Sequence, residues 1–141
     1  MTASLMPAAD SEWVGSETCS ACHLEIYETY MRTPMAGSSG LVGKGTFQER
    51  FDRAEFLHQP SGYRYRVRRE GQRYFFEFEK GAGASRVTGS RTLAYFVGSG
   101  AVARSYLLSF DGFLFEAPVT YYSDRKYWNL PPGFDRQNTH S

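Results

Sequence analysis

The residues of this chain with the clearest chemical potential lie close together near its start. Both of its cysteines, Cys19 and Cys22, belong to the run C-x-x-C-H, which His23 completes. This run is the attachment signature of c-type haem. Two thiols at this spacing on a helical turn form thioethers with the two vinyl groups of one porphyrin, and the next residue presents its imidazole to the iron. We therefore expect one covalent haem c held by Cys19, Cys22 and His23, with His23 as the proximal iron ligand.

Three other interpretations of the cysteine pair remain open. A thioredoxin-like dithiol also uses C-x-x-C, but it requires a βαβ context that the N-terminal sequence does not show. A structural zinc site requires four ligands, and the remaining histidines are His58 and His140. A disulfide across two residues, or a pair of inert thiols, needs no cofactor. Haem attachment is the interpretation that we carry forward.

The second axial position of such an iron has two candidate ligands. His58, in the segment FLHQPSG on an expected strand, is preferred, so the sequence predicts a bis-histidine site with His58 distal; a surface or hydrogen-bonded histidine is the other explanation. Met35 is the alternative, because thioether ligation is common in small cytochromes and raises the reduction potential. Packing of a methionine against a porphyrin face would also explain Met35. An open position is the third possibility, and His140 could serve a neighbouring subunit.

Other side chains are candidates for contact with the porphyrin rather than with iron. Arginine forks pair well with carboxylates such as haem propionates. Cross-strand ion pairs or a solvated face explain the same arginines equally well. The aromatic candidates are Tyr27, Tyr30 and Phe56, and the arginine candidates are Arg64, Arg66 and Arg104.

The C-x-x-C-H run is expected on a short helix. Ser16 suits the N-cap, Glu17 complements the helix dipole, and Pro34 ends the pattern. The apolar residues that recur at helical spacing are Leu24, Tyr27, Tyr30 and Met31, and Met31 is expected in the helix core.

After Gly37 the sequence changes to short alternating segments, of which two form clear hairpins. The first is expected to turn at Glu70-Gly71, and the second at Asp111-Gly112. Strands are also expected near 46–58 and 85–97. The pairs predicted for the first hairpin are Val67 with Tyr74, Tyr65 with Phe76, Tyr63 with Phe78 and Arg64 with Glu77; those for the second are Phe110 with Phe113, Leu108 with Phe115 and Tyr106 with Ala117.

These elements predict an α+β, mainly β fold. A short haem-binding N-terminal helix leads into an antiparallel sheet of about six strands, as a small sandwich or an open barrel. We expect a flexible arm at 1–12, a single c-type haem domain at 13–135 and a tail at 136–141.

Composition excludes some functional classes. A net charge of +1 without a basic block argues against a nucleic-acid binder, because phosphate recognition needs clustered cations. No apolar run approaches the eighteen or so residues of a membrane-spanning helix. No nucleophile with a base and no acid–base pair is recognisable, so we expect an electron carrier and not an enzyme, whether alone or within a larger oxidoreductase.

The segment WVGSETCSACHLEIYETYMRTPMAGSSG resembles the first haem site of a family of bacterial multihaem c-type cytochromes, often linked to tetratricopeptide repeats or further haem domains. The resemblance continues through FLHQPSGYRYRV, YFVGSGAVARSYL, FEAPVTYYS and WNLPPGFD, roughly residues 13–135. Family members usually run on into another C-x-x-C-H, and some carry a histidine where this chain has Ala101 and Val102. We therefore expect either a one-haem variant or a piece of a longer cytochrome.

Electron transfer is the expected function, with redox proteins as partners. A haem-based small-gas sensor or binding module, and a structural subunit of a cytochrome polymer, are the alternatives. Self-association into a homo-oligomer or filament would bring haems of adjacent copies together. Haem thioethers are made outside the cytoplasm, so we expect a periplasmic or extracellular, cell-surface protein. The start MTASLMPAADSEW lacks a secretory signal pattern, so we expect a mature, recloned or mis-started form.

Overall fold

The computed structural model describes residues 14–44 and 49–134, and every structural statement below concerns these ranges. The chain divides into two compact units, residues 1–33 and 34–141. The predicted arm at 1–12 and the predicted tail at 136–141, with His140, lie outside the described residues.

The first unit contains the helix α1 (Glu17–Met31). Ser16 occupies the N-cap position, as predicted, although its side chain makes no capping hydrogen bond. The helix ends as the backbone N–H groups of Arg32 and Thr33 donate to the carbonyls of Thr29 and Tyr30, respectively. The prediction of a helix that carries the C-x-x-C-H run and ends before Pro34 is confirmed.

The second unit is built from antiparallel strands, so the mainly β prediction is confirmed. The described part of the chain has eight strands where about six were expected; the two extra ones are three-residue strands that alternation alone does not reveal. The strands are β1 (Ser39–Leu41), β2 (Glu55–His58), β3 (Tyr63–Glu70), β4 (Arg73–Lys80), β5 (Val87–Val97), β6 (Ala103–Phe110), β7 (Phe113–Tyr122) and β8 (Tyr127–Asn129).

The sheet follows chain order from β2 to β8, and β1 pairs with the end of β5. Strands β2 and β8 approach each other, which curls the sheet into a nearly closed barrel. A strand was expected near 46–58; among the described residues of that range, a short 3-10 turn at Phe51–Arg53 precedes the strand β2. The expected strand at 85–97 is present as β5.

The barrel core is rich in aromatic rings. Tyr106 is fully buried, its ring stacks on Trp128 at 5.5 Å, and Tyr121 meets Trp128 edge-on at 5.3 Å. On the β3–β4 side the rings of Tyr65 and Phe76 stack at 5.8 Å. Each such pair adds directional attraction to the burial of a large apolar surface.

The first hairpin has a different register from the predicted one. Glu70 pairs with Arg73, so the turn residues are Gly71 and Gln72, not Glu70 and Gly71. Gly71 has a φ of 59°, which suits the first central position of a tight hairpin turn. The observed pairs, two residues away from the predicted ones, are Val67 with Phe76, Tyr65 with Phe78, Arg66 with Glu77 and Arg64 with Glu79. A shift of two residues preserves the alternation, so the predicted core face is still correct.

The second hairpin turns at Asp111-Gly112 as predicted, and Phe110 pairs with Phe113. Leu108 also pairs with Phe115. Between Ser105 and Leu107 the register shifts, so the predicted pair of Tyr106 with Ala117 is not part of the ladder. At this irregularity one residue of β6 stands opposite three residues of β7, so β7 carries two extra residues.

Among the described residues, no helix has the length and apolar character needed to cross a membrane.

Candidate functional site

Helix α1 positions the three residues of the C-x-x-C-H run. Cys19 and Cys22 lie one turn apart, and both are exposed free thiols. His23, with φ −131° and ψ 50°, departs from helical geometry and kinks the helix. No proline or glycine stands beside His23 to account for the kink.

One face of α1 brings Cys19 and His23 together in a groove of about 560 Å³. The spacing of i, i+4, i+7, i+8 and i+11 from Cys19 places the helical lining residues in one stripe. Cys22 is not part of this lining. The lining residues are Val14, Ser16, Cys19, His23, Ile26, Tyr27 and Tyr30.

The groove is apolar, and it is open on the described residues of the first unit. Helix α1 has no buried residue, and the side chain of Ile26 is 69% exposed. Exposed apolar stripes on helices are normally covered by a partner surface. A covalently attached porphyrin requires two thiols, an imidazole and an apolar surface. The groove supplies one thiol, the imidazole and the apolar surface, and Cys22 follows one turn after Cys19, so these residues fit that cofactor.

Two apolar residues that the sequence placed in the helix pattern do not line the groove. Leu24 and Met31 are exposed, Met31 by 49%, so the expectation that Met31 lies in the helix core is wrong. Both lie outside the stripe that begins at Cys19. Ile26, which helical spacing from Cys19 would have identified, was missed.

His58 lies at the end of β2, where it is half-buried. Its Nδ1 shares a hydrogen bond of 2.7 Å with the Ser61 hydroxyl, which also accepts from the backbone N–H of Tyr63 at 3.3 Å. This geometry agrees with the alternative in which His58 is a hydrogen-bonded histidine without a ligand role. It is also how a ligating imidazole is oriented, so the role of His58 as distal ligand stays a prediction.

Met35 lies in the turn that precedes β1, with its side chain 73% exposed. Its carbonyl accepts hydrogen bonds from the backbone N–H of Ser38 at 3.1 Å and from the Ser38 hydroxyl at 2.7 Å. Met35 also stays a prediction as the alternative ligand.

The side chain of Arg104 is buried inside the barrel. Its guanidinium, 2% exposed, donates to Glu49 Oε1 at 3.0 Å and to the carbonyls of Gly98 and Ser99, and it lies over the Phe96 ring. Tyr106 donates to the same Glu49 oxygen at 2.8 Å. Burial, and then the negative charge of Glu49, raise the pKa of Tyr106. The ion-pair explanation therefore holds for Arg104.

The other two arginine candidates belong to a charged sheet face. Arg64 donates to Glu55 at 2.7 Å, and its Nε lies 3.6 Å from Glu79. Arg66 stands between Glu55 and Glu77 in the register of β2, β3 and β4. Phe56, the remaining aromatic candidate, packs against the barrel core, with its ring 5.2 Å from Tyr65.

A larger hollow of about 690 Å³ lies on the barrel surface but is lined mainly by charged and paired side chains. Asp52 accepts a hydrogen bond from Arg50, which lowers the pKa of Asp52. Arg68 pairs with Glu77 at 2.8 Å. No cysteine or histidine lines this hollow, so the α1 groove is the better candidate site.

In the described ranges, no group of three or more histidine, cysteine, aspartate or glutamate side chains is arranged to hold a metal ion. Comparisons with protein-family models, with curated proteins and with solved structures found no match. The resemblance to multihaem cytochromes therefore stays a prediction.

Proposed function

We propose that this chain is an electron-transfer c-type cytochrome that carries one haem through Cys19, Cys22 and His23. The supporting observation is the α1 groove, where Cys19 and His23 of the C-x-x-C-H run share one apolar helix face. The motif supplies the attachment chemistry, and the groove supplies a surface that a planar apolar ring would cover.

The attachment chemistry balances without an added oxidant. Cys19 and Cys22 would hold the haem through thioethers: each thiol would add across one vinyl group, with sulfur bonding to one carbon and hydrogen going to the other. His23 would hold the iron through a ring-nitrogen lone pair. Bound haem supplies one-electron redox chemistry, and the protein sets its potential through axial ligation, burial and hydrogen bonding.

For the second axial position we propose His58, with Met35 as the alternative. The hydrogen bond between His58 Nδ1 and Ser61 supports the first choice, because it fixes the ring orientation that ligation requires. The exposed Met35 thioether supports the second.

We also propose where the protein is located and which proteins it interacts with. Covalent haem attachment takes place outside the cytoplasm, which favours a periplasmic or cell-surface location. Other redox proteins are the proposed partners, because a carrier must receive and pass on single electrons.

The test is expression together with a cytochrome c maturation system. Wild-type protein should retain haem staining on a denaturing gel, and the Cys19→Ala/Cys22→Ala double variant should lose it. Ser20→Ala, inside the same motif, is the matched control and should stain like wild type. Equal staining of the double variant would overturn the proposal. Carbon monoxide added to the reduced protein separates a six-coordinate carrier, which resists the gas, from a gas sensor, which binds it.

A further inference from the structure

We propose, on the basis of the haem function above, that the porphyrin lies along the Cys19 to Tyr30 face of α1, with Ile26 as a direct haem contact. The sequence motif assigns attachment and ligation but does not say which side of the helix the ring covers. The groove answers that question, because it continues from Cys19 and His23 to Ile26 and Tyr30. Cys22, one turn after Cys19, lies outside the lining, so a ring bonded to both thiols would extend past the groove on the Cys22 side.

The groove lining brings two further side chains onto the face that holds the His23 imidazole. Ile26 and Tyr27 follow His23 by three and four residues, and both line the groove with it. The non-helical backbone of His23 does not remove them from this shared lining. A ring ligated by His23 therefore meets them.

Charge distribution favours the same face. The acidic residues of α1 are Glu17, Glu25 and Glu28, and none of them lines the groove. A porphyrin carries two propionates, so carboxylates beside it would raise its energy through like-charge repulsion. The groove offers an apolar wall without a carboxylate.

Position on the helix, and not exposure, separates Ile26 from Leu24. Ile26 and Leu24 are both large aliphatic residues, 69% and 59% exposed. They differ in position, because Ile26 lines the groove and Leu24 does not. The pair is therefore a matched test of which face the ring covers.

The experiment uses a favourable property of the sequence: Ile26 is the only isoleucine in the chain. Selective carbon-13 labelling of isoleucine δ1 methyl groups therefore gives a single signal in a methyl NMR spectrum. The holo-protein is examined reduced and under carbon monoxide, so that the iron is diamagnetic. A methyl group above the porphyrin face is shifted upfield by the ring current.

We expect the Ile26 methyl signal of the holo-protein to lie well upfield of its position in the haem-free Cys19→Ala/Cys22→Ala variant. The double variant Leu24→Ile/Ile26→Leu moves the only isoleucine off the groove, and its signal should stay at an ordinary position. An unshifted Ile26 signal in protein whose covalent haem is verified by gel staining would overturn this inference and leave the proposed function standing. Absence of covalent haem would overturn both.

Discussion

At the scale of single residues, the open question is which side chain completes the iron coordination. A hydrogen bond to Ser61 orients the imidazole of His58, whereas the thioether of Met35 is exposed on a turn. The two ligands impose different spectra and potentials on haem, so the choice can be made by substitution.

We expect His58→Ala to convert the ferrous spectrum to a high-spin or carbon-monoxide-binding form, while Met35→Leu stays low-spin. Leucine replaces the packing of methionine, but alanine cannot replace an imidazole ligand. Absorption spectra of the reduced variants measure this. The reverse pattern would transfer the distal role to Met35, and no change in either variant would show that the ligand comes from elsewhere.

A second residue-scale prediction concerns Tyr65, whose pKa burial raises to about 12. Unfolded tyrosine titrates near pH 10. As pH rises from about 10 to 12, the unfolded chain loses this proton first, so the free energy of unfolding falls with pH over that window.

Tyr65→Phe should make that alkaline decline shallower, as measured by urea unfolding at several pH values. Tyr95→Phe, at an exposed tyrosine of the same sheet, is the control and should leave the decline unchanged. An identical decline in wild type and Tyr65→Phe would contradict the assignment to Tyr65.

At the scale of elements, local sequence patterns predicted the helix and one hairpin turn. They did not fully predict the register in which residues of neighbouring strands pair. Helix α1 followed from spacing and its flanking Ser16 and Pro34, and the Asp111-Gly112 turn followed from its residue types. The register of β3 and β4 was missed by two residues, because alternation is unchanged by such a shift. The two extra residues of β7 likewise leave no clear mark in an alternating pattern.

The candidate site residues likewise include some that the sequence could identify and some whose contacts it could not. The C-x-x-C-H run is local, so its chemistry was predictable from Cys19, Cys22 and His23 alone. The pairing of Arg104 with Glu49 spans 55 residues and leaves no local signal. Sequence could therefore offer Arg104 as a propionate partner, although its charge is used inside the barrel.

This buried pair yields an element-scale prediction. Arg104→Met should lower the free energy of unfolding by about 3–5 kcal/mol, because it leaves the Glu49 carboxylate buried without its cation. The double variant Arg104→Met/Glu49→Gln should recover part of the loss, since the uncompensated charge is then gone. Denaturant titration measures both. A cost below about 1 kcal/mol for Arg104→Met would show that the pair does not stabilise the barrel.

At the scale of the whole molecule, the aromatic-rich segments YFFEF and VTYYSDRKYW are candidates for contacts between copies. The structure instead buries half of their eight aromatic residues in the core: Tyr74, Phe76, Tyr121 and Trp128. Exposed apolar residues cluster at the end of the β6–β7 hairpin, where contacts between copies would be expected. They are Phe110, Phe113, Leu114 and Phe115.

We therefore expect homo-oligomers or filaments that Phe113→Ser/Phe115→Ser weakens, as measured by sedimentation velocity over a range of concentrations. Val102→Ser, at another exposed apolar residue, is the control. A wild-type holo-protein that stays monomeric at every concentration would contradict self-association and leave a diffusible one-haem carrier.

Mass spectrometry of the denatured holo-protein after trypsin digestion decides whether one haem is bound covalently at Cys19 and Cys22. The first lysine or arginine of the chain is Arg32, so both cysteines fall in the peptide that ends there. We predict that this peptide carries the mass of one haem and absorbs in the Soret region. A peptide at its bare mass, or at the mass of a Cys19–Cys22 disulfide, would contradict this covalent attachment.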